Sequence, residues 1–469
     1  MEFLVRFTQV HETFRLPELQ ALAEAENVPI TVVSYNPESP FCIITAPDAQ
    51  SATRIARRAI LTLWIYEYWG SGSTLDELHE DVKRRTSHLW EQHSDASWKF
   101  SIDSFQGRRE GDARRELINT FRYLPLRGPI KMKDPDLEFT IFEEWPISSP
   151  LLGIKDPTAY HFGRHVGKGA RDMVARFDLK KRPYISTTSM DSELALVTAN
   201  IALAGPGKLF YDPFVGTGSF PIACSAFGAV SWGSDIDGRA VRGSGKDTRA
   251  EAKRGQVKGE KTLRGNFVHY GIEDGLGDVF AADLTNTPLR RLPHGGARPG
   301  GRGRLFDGIV CDPPYGVREG LRVLGCRDPE ARPWVVEAGH VRHKDPEFIP
   351  PKKPYSFIAM LDDILLFATE TLVDGGRLSF WMPTANDEDQ EIGTPMHPCL
   401  EIVAVCVQPF NKWSRRLITY RKLPDESVGA SELEAWRSRA GQQHLGTTAD
   451  ELNPFRKGYF NKFEAEASS

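Results

Sequence analysis

Four short apolar runs between residues 209 and 312 each end in an aspartate, and this constrains the chain more than any other feature. LFYD closes on Asp212, SWGSD on Asp235, VFAAD on Asp283 and GIVCD on Asp312. Each run has the length and composition of a strand, and helix-like stretches alternate with them. Strands that alternate with helices pair in parallel, which brings their carboxyl-terminal ends to one edge of one sheet. A mostly parallel α/β sheet is therefore expected from about residue 185 to 423, with a further strand at 376–383. Two late strand candidates, 402–410 and 415–422, read as a hairpin at the sheet edge.

The turns after these strands carry the chemistry. In Asp212-Pro213-Phe214-Val215-Gly216-Thr217-Gly218-Ser219 the two glycines let the backbone turn tightly and approach a ligand closely. A dinucleotide site would want GxGxxG with a pyrophosphate at the helix start. The observed DPxxGxG suits the amino-acid part of a zwitterionic cofactor better. Asp235, in Gly233-Ser234-Asp235-Ile236-Asp237, stands where a ribose diol is gripped. Asp283 reads either as an acceptor for an adenine amino group or as a strand-terminal cap. In Asp312-Pro313-Pro314-Tyr315 the prolines stiffen the turn and remove two donors. The Asp312 carboxylate and the Pro313 carbonyl can then accept both hydrogens of an exocyclic amine, which frees its lone pair and takes up developing charge. Tyr315 offers a stacking face for an extruded base.

The rest of the chain sets the organisation. Residues 1–70 read strand, helix, strand, strand, helix, strand, a ferredoxin-like order. Residues 71–150 continue with a charged helix (74–86), a strand (98–105), a second helix, and a strand-turn-strand over 128–146 around Asp134-Pro135-Asp136. Residues 151–190 hold eight Lys/Arg against three Asp, whereas residues 1–150 hold 17 Lys/Arg against 23 Asp/Glu. A basic connector over 151–185, touching phosphates or merely solvated, follows from that contrast. A domain over 186–425 and a polar tail over 426–469, with a helix from Ala430 to Ser438, complete the division. Two basic inserts, 242–264 and 288–304, are expected to be flexible, solvated loops, with RNA contact as the other reading. The net charge of −4 excludes a polycation, so any nucleic acid would be held by local patches. Six scattered cysteines without a CxxC pair argue against a zinc site of the chain's own and against a disulfide framework. With no signal peptide and no apolar run of membrane length, a cytoplasmic protein is expected.

Taken together, Thr188-Ser189-Met190-Asp191, DPFVGTGS, GSDID, DPPYGVREG (312–320), the tail QPFNKWSRRLITYRK (408–422) and the run Lys131-Met132-Lys133-Asp134-Pro135-Asp136 resemble the THUMP-domain family of RNA methyltransferases. The closest likeness is to the eukaryotic catalytic subunits that methylate N2 of guanosine 10 in tRNA, and it spans nearly all of residues 1–425. The resemblance implies a Rossmann-like class I methyltransferase domain behind an N-terminal ferredoxin-like unit and a THUMP domain that grips the acceptor stem. It implies S-adenosylmethionine as cofactor, held by Thr188, Ser189, Asp212, Pro213, Phe214, Gly216, Gly218, Asp235, Ile236, Asp283 and Leu284. Asp312, Pro313, Pro314 and Tyr315 would carry catalysis, with no metal. Lys131, Lys133, Arg164, Lys168 and Arg171 would meet RNA. A small zinc-binding activator subunit is implied as a partner on the α/β domain, with no membrane association. Three alternatives remain open at this point. They are a sister THUMP enzyme with another guanosine or RNA, a DNA amino-methyltransferase, and a non-catalytic tRNA-binding protein.

Overall fold

The computed structural model describes residues 1–154, 156–243, 257–316, 321–325, 351–385, 393–410 and 413–442. The chain divides into two compact units, Met1–Asp172 and Met173–Ser469.

The first unit is built on one sheet of seven strands: β1 (Glu2–Phe7), β2 (Thr31–Tyr35), β3 (Phe41–Thr45), β4 (Thr62–Gly72), β5 (Trp98–Phe105), β6 (Leu137–Glu144) and β7 (Ala159–Lys168). Their order is β2-β3-β1-β4-β7-β6-β5. The stretch β2-β3-β1-β4, with helices Glu12–Ala25 and Ala49–Ala56, is the expected ferredoxin-like arrangement. Phe3, Val5, Phe7, Leu19, Leu22 and Ile55 fill its core. β4 runs past residue 70 and belongs to both halves of the sheet. Its other partner is β7, antiparallel, with Glu67 opposite Arg164.

β7 is where the structure departs from the sequence reading. Residues 151–185, expected as a connector, contain an inner strand of this sheet. The alternation of Tyr160 and Phe162, both buried, with polar neighbours is a strand pattern that the charge count over the segment hides. Arg164 is correspondingly committed. Its Nε donates to Glu67 Oε2 at 2.7 Å, and Glu67 is only 6% exposed. The first strand expected within 128–146 also shrinks, to a single bridge between Ile130 and Trp98. Pro129 can donate no ladder bond, and Asp134, with φ 45°, turns the chain away.

The sheet is strongly coiled, as right-handed twist over seven strands requires. On one face Phe41 of β3 meets Phe142 of β6 and Phe105 of β5, with ring centroids 5.3 and 6.3 Å apart. Arg6 of β1 donates through Nε to Asp103 of β5 at 2.7 Å. Strands far apart in sheet order are thus held together across the concave side.

The second unit holds another seven-stranded sheet: β8 (Leu209–Asp212), β9 (Val230–Asp235), β10 (Leu276–Ala281), β11 (Phe306–Cys311), β14 (Leu372–Ala385), β15 (Leu400–Pro409) and β16 (Trp413–Lys422). A small hairpin of β12 (Arg322–Leu324) and β13 (Lys352–Pro354) stands apart from it. The order is β10-β9-β8-β11-β14-β16-β15. The first five strands pair in parallel, and β16 is antiparallel to both β14 and the edge strand β15. This is the mostly parallel sheet and edge hairpin expected from the sequence. Between β8 and β11 the order reverses, and in sheets of this kind ligands bind at that point, outside the carboxyl ends of the strands. Helix Phe357–Thr371 covers β11 and β14 through Met360, Ile364, Leu365 and Phe367, all fully buried.

Segment 288–304, expected to be flexible, is pinned instead. Leu292 N donates to Glu370 O, Arg291 pairs with Glu370, and the fully buried Arg304 side chain pairs with Asp425 and Asp374. Of the insert at 242–264, residues 244–256 lie outside the described residues. The C-terminal helix is longer than expected, Ala430–Gln442. No helix among the described residues is long and apolar enough to cross a membrane.

Candidate active site

The four aspartates stand at the carboxyl ends of β8, β9, β10 and β11, as the parallel sheet dictates. The loop after β8 is fixed from two sides. Asp212 Oδ1 accepts from Phe214 N at 2.9 Å. Asp235 accepts from Gly216 N at 3.0 Å through Oδ2 and from Asp237 N at 2.8 Å through Oδ1. Gly216 (φ 50°) and Gly218 (φ 86°) take left-handed conformations that β-carbons disfavour. Gly233 matters for a different reason that its motif did not reveal. A β-carbon there would meet Val215 at 2.6–2.8 Å and the Asp212 carbonyl oxygen at 3.2 Å, so this loop closes only over a glycine.

The segment before the domain's first helix joins the same loop. Ser189 Oγ lies 2.7 Å from Thr217 Oγ1, and Thr188 Oγ1 lies 3.2 Å from Ser186 Oγ. Pro213 and Phe214 stand inside the loop, Ile236 follows Asp235, and the Ile236 carbonyl accepts from Lys352 Nζ at 3.3 Å.

Asp283 ties down the turn that follows β10. Its carboxylate accepts from Thr285 N, Thr285 Oγ1, Asn286 Nδ2 and, across to β12, Leu324 N at 2.9–3.1 Å. Three of these bonds fall on Oδ2 and one, from Thr285 N, on Oδ1, so Oδ1 keeps an acceptor position open. Leu284 beside it is buried in the sheet core.

At the end of β11 the Tyr315 hydroxyl donates to Asp312 Oδ1. Arg415, on β16, brings Nη1 to 3.6 Å from Asp312 Oδ2. Its Nε and Nη2 donate to Gln408 Oε1 at 3.1 and 2.6 Å, and its guanidinium lies over the Trp381 and Phe410 rings. Phe410 and Trp413 stack with centroids 4.7 Å apart, and Trp413 meets the edge of Tyr315 at 6.3 Å. Gln408, Phe410, Trp413 and Arg415 all lie in the tail noted in the sequence, but no chemistry was assigned to them. Only the pairing of β14, β15 and β16 places them beside Asp312. Pro313 is buried and Pro314 exposed.

The electrostatics are unusual for a set of aspartates. Burial pushes the Asp212 carboxyl well above the ordinary range, and the charges of Asp235 and Asp312 push it further. Burial also raises Asp235. Asp312 is pushed up to about 6 by burial, against the lowering effects of Arg415 and then the Tyr315 hydrogen bond. Three buried carboxylates whose pKa values all stand raised, Asp212 in part by the charges of the other two, form a site short of positive charge, which a cationic ligand would supply. The loop beside them turns through Gly216 and Gly218 at positive φ, which leaves its backbone bare for close approach by a ligand. S-adenosylmethionine, with its sulfonium and α-ammonium, fits that donor and acceptor set.

Of the candidate RNA contacts, Lys131 and Lys133 are exposed on the turn before β6. Lys168 is exposed with its ammonium over the Trp64 ring, and Arg171 donates to Ile60 O at 3.4 Å. These residues lie in the first unit and the four aspartates in the second.

Residues 1–171 match the family model described as the Tmrp11 THUMP N-terminal domain. The chain is 41% identical to the tRNA (guanine(10)-N(2))-methyltransferase of Saccharomyces cerevisiae, covering 98% of this chain and 99% of the relative. It is 35% identical to the protein of the same description from Schizosaccharomyces pombe, over 90% of each chain. It is 34% identical to the one from Homo sapiens, over 90% of this chain and 88% of the relative. Among solved structures, TrmN from Thermus thermophilus aligns over 90% of this chain and 100% of its own, at a TM-score of 0.39 and 14% identity, a likeness too distant to add weight.

Proposed function

Because the chain belongs to the tRNA (guanine(10)-N(2))-methyltransferase family, we propose that it methylates the exocyclic N2 of guanosine 10 in tRNA, with Asp312 as the group that receives the reacting amine. The observation that carries the catalytic assignment is the Asp312 carboxylate at the end of β11, raised to about 6 and flanked by Tyr315 and Arg415. S-adenosylmethionine supplies an electrophilic methyl group on a sulfonium.

The chain's own residues do the rest. Asp212, Asp235 and the loop through Gly216 and Gly218 hold the cationic cofactor by charge and close backbone approach. Ser189 braces that loop from the side through Thr217, and Thr188 stands beside it bonded to Ser186. Above pH 6 Asp312 is a carboxylate that accepts an amine hydrogen, draws out the nitrogen lone pair, and takes up the positive charge that grows as the methyl arrives. It is also the nearest base for the departing proton. The Tyr315 ring provides a face for the extruded base, and its hydroxyl fixes the Asp312 rotamer. The catalytic contribution is largely one of positioning. Lys131 and Lys133 are offered to RNA phosphates, whereas Arg164 serves the sheet.

Asp312→Ala should abolish methyl transfer to unmodified tRNA while leaving tRNA binding within a few-fold. Near-normal turnover would remove Asp312 from the mechanism. A small zinc-binding activator subunit on the α/β domain is part of this reading, and its support is the family resemblance. Transfer assayed with and without the co-expressed activator tests it, with N2-methylguanosine at position 10 expected only when both are present.

A further inference from the structure

The segment between β10 and β11 carries five arginines over residues 288–304 and no acid. They divide into two sets. Arg291 and Arg304 are the anchors that pin the segment to Glu370, Asp374 and Asp425. Arg290, Arg298 and Arg302 are exposed and line a concavity of about 330 Å3 together with Leu292, Gly296 and Gly303. Among the described residues none of these three makes an ion pair.

The backbone then brings two of them face to face. Arg298 and Arg302 exchange hydrogen bonds, N to O at 3.1 Å and O to N at 3.2 Å, around a turn in which Gly300 and Gly301 have φ near 70°. That reciprocal pair sets the two residues directly opposite each other, with Cα atoms about 5.5 Å apart. Like charges facing across such a pair repel. A built turn that holds two unpaired guanidiniums side by side, with a third on the same rim, is arranged to share an anion between them.

We propose that Arg290, Arg298 and Arg302 form a phosphate-binding site of the second unit, and that the RNA backbone occupies it. The inference rests on the tRNA reading above. A phosphodiester suits the rim because its two free oxygens can meet two guanidiniums at once. The place in the fold also fits an extended polyanion. Leu305 N donates to Thr371 O, so the segment lies where β11 and β14 begin, whereas Asp312 follows the other end of β11. The length of β11 separates them by about 17 Å at 3.3 Å per residue. That equals roughly five nucleotides of helical rise. The site would therefore register the substrate at a distance from the reacting base and contribute to binding rather than to the chemical step.

The test is the triple variant Arg290→Gln/Arg298→Gln/Arg302→Gln of the full chain, which leaves both anchors intact. Methyl transfer to unmodified tRNA, with the activator co-expressed for variant and wild type alike, is measured against tRNA concentration from 50 to 300 mM KCl. KM for tRNA is expected to rise about 10-fold or more near 150 mM salt, with kcat and S-adenosylmethionine binding unchanged. The slope of log KM against log salt should fall by about 2, at ~0.7–0.9 for each phosphate no longer neutralised. An unchanged KM and slope overturns the proposal, and that includes the case in which the arginines meet an acidic protein surface instead. If the triple variant unfolds, Arg298→Gln and Arg302→Gln taken singly should each lower the slope by about 1, and no change in either refutes it. Failure of the wild-type chain to methylate tRNA even with the co-expressed activator would refute the tRNA reading instead, so the two failures are distinct.

Discussion

Replacing Arg415 with methionine should move the acid limb of the pH–rate profile upward. The guanidinium lies 3.6 Å from Asp312, and its charge is the largest influence opposing the burial that pushes that carboxyl up to about 6. An adjacent Arg typically lowers an Asp by about 1–3 pH units. Here the two side chains keep 16% and 21% of their exposure, so screening favours the lower part of that range, about 1–2 units. The variant limb should then lie at roughly pH 7–8. The sign follows from the mechanism. The carboxylate is the working form and exists above its pKa, so raising that pKa costs activity on the low-pH side. At pH 7 the wild-type group is about 90% ionised and the variant roughly 10–50%, a loss of about 2- to 10-fold. By pH 9 the variant should recover most of the wild-type rate. Methionine supplies an unbranched apolar side chain and loses the guanidinium over Trp381 and Phe410, so the charge is removed with an apolar stem left in place. Single-turnover methyl transfer from pH 5.5 to 9, with tRNA saturating, is the assay. A limb that stays near 6, or a loss independent of pH, would show that Arg415 does not act through the Asp312 charge. The same raised pKa bears on stability with the opposite consequence. A folded-state pKa above the unfolded value of about 3.9 means stability falls as pH rises from about 4 to 6.

Gly233→Ala should push the 212–218 loop outward, because its β-carbon meets Val215 and the Asp212 backbone rather than a flexible tip. A loss of at least about 10-fold in S-adenosylmethionine affinity by titration calorimetry is expected, and an unchanged affinity would refute the packing argument. Asp425→Ala should destabilise the second unit by about 3 kcal/mol, since the Arg304 and Lys422 side chains, both fully buried, lose their main partner. Burial opposes ionisation there, but hydrogen bonds from Arg304, Lys422 and Gly295 hold Asp425 down at about 2. Its contribution is therefore present above about pH 4 and lost as pH falls through 2, and thermal melts at pH 7 and pH 3 should show the variant's deficit shrinking.

The four strand-ending aspartates were legible because parallel strands and their turns are local signals. Asp312, Asp212 and Asp235 follow from motif and position alone. What escaped depends on partners remote in sequence. Arg164 looked like a free cation, and Glu67, 97 residues away, claims it. The 288–304 segment looked loose because glycine and arginine dominate it, and Glu370, Asp374 and Asp425 tie it down. Arg415 sat in a noted tail without a role, because only the antiparallel return of β16 carries it to Asp312. The tie from Leu324 N to Asp283 was equally hidden, because Leu324 lies 41 residues further on.

The position of β7 has a consequence for the newborn chain. It is the last strand of its sheet to be synthesised and the one that sits between β4 and β6. Until it arrives, both neighbours present open hydrogen-bonding edges to the solvent. About a hundred residues lie between the end of β4 and the end of β7, which at ribosomal speed is roughly 5–20 s of exposure. A nascent chain stalled or cleaved before residue 159 would keep those edges indefinitely, so fragments ending there should aggregate or recruit chaperones where fragments ending after residue 172 do not.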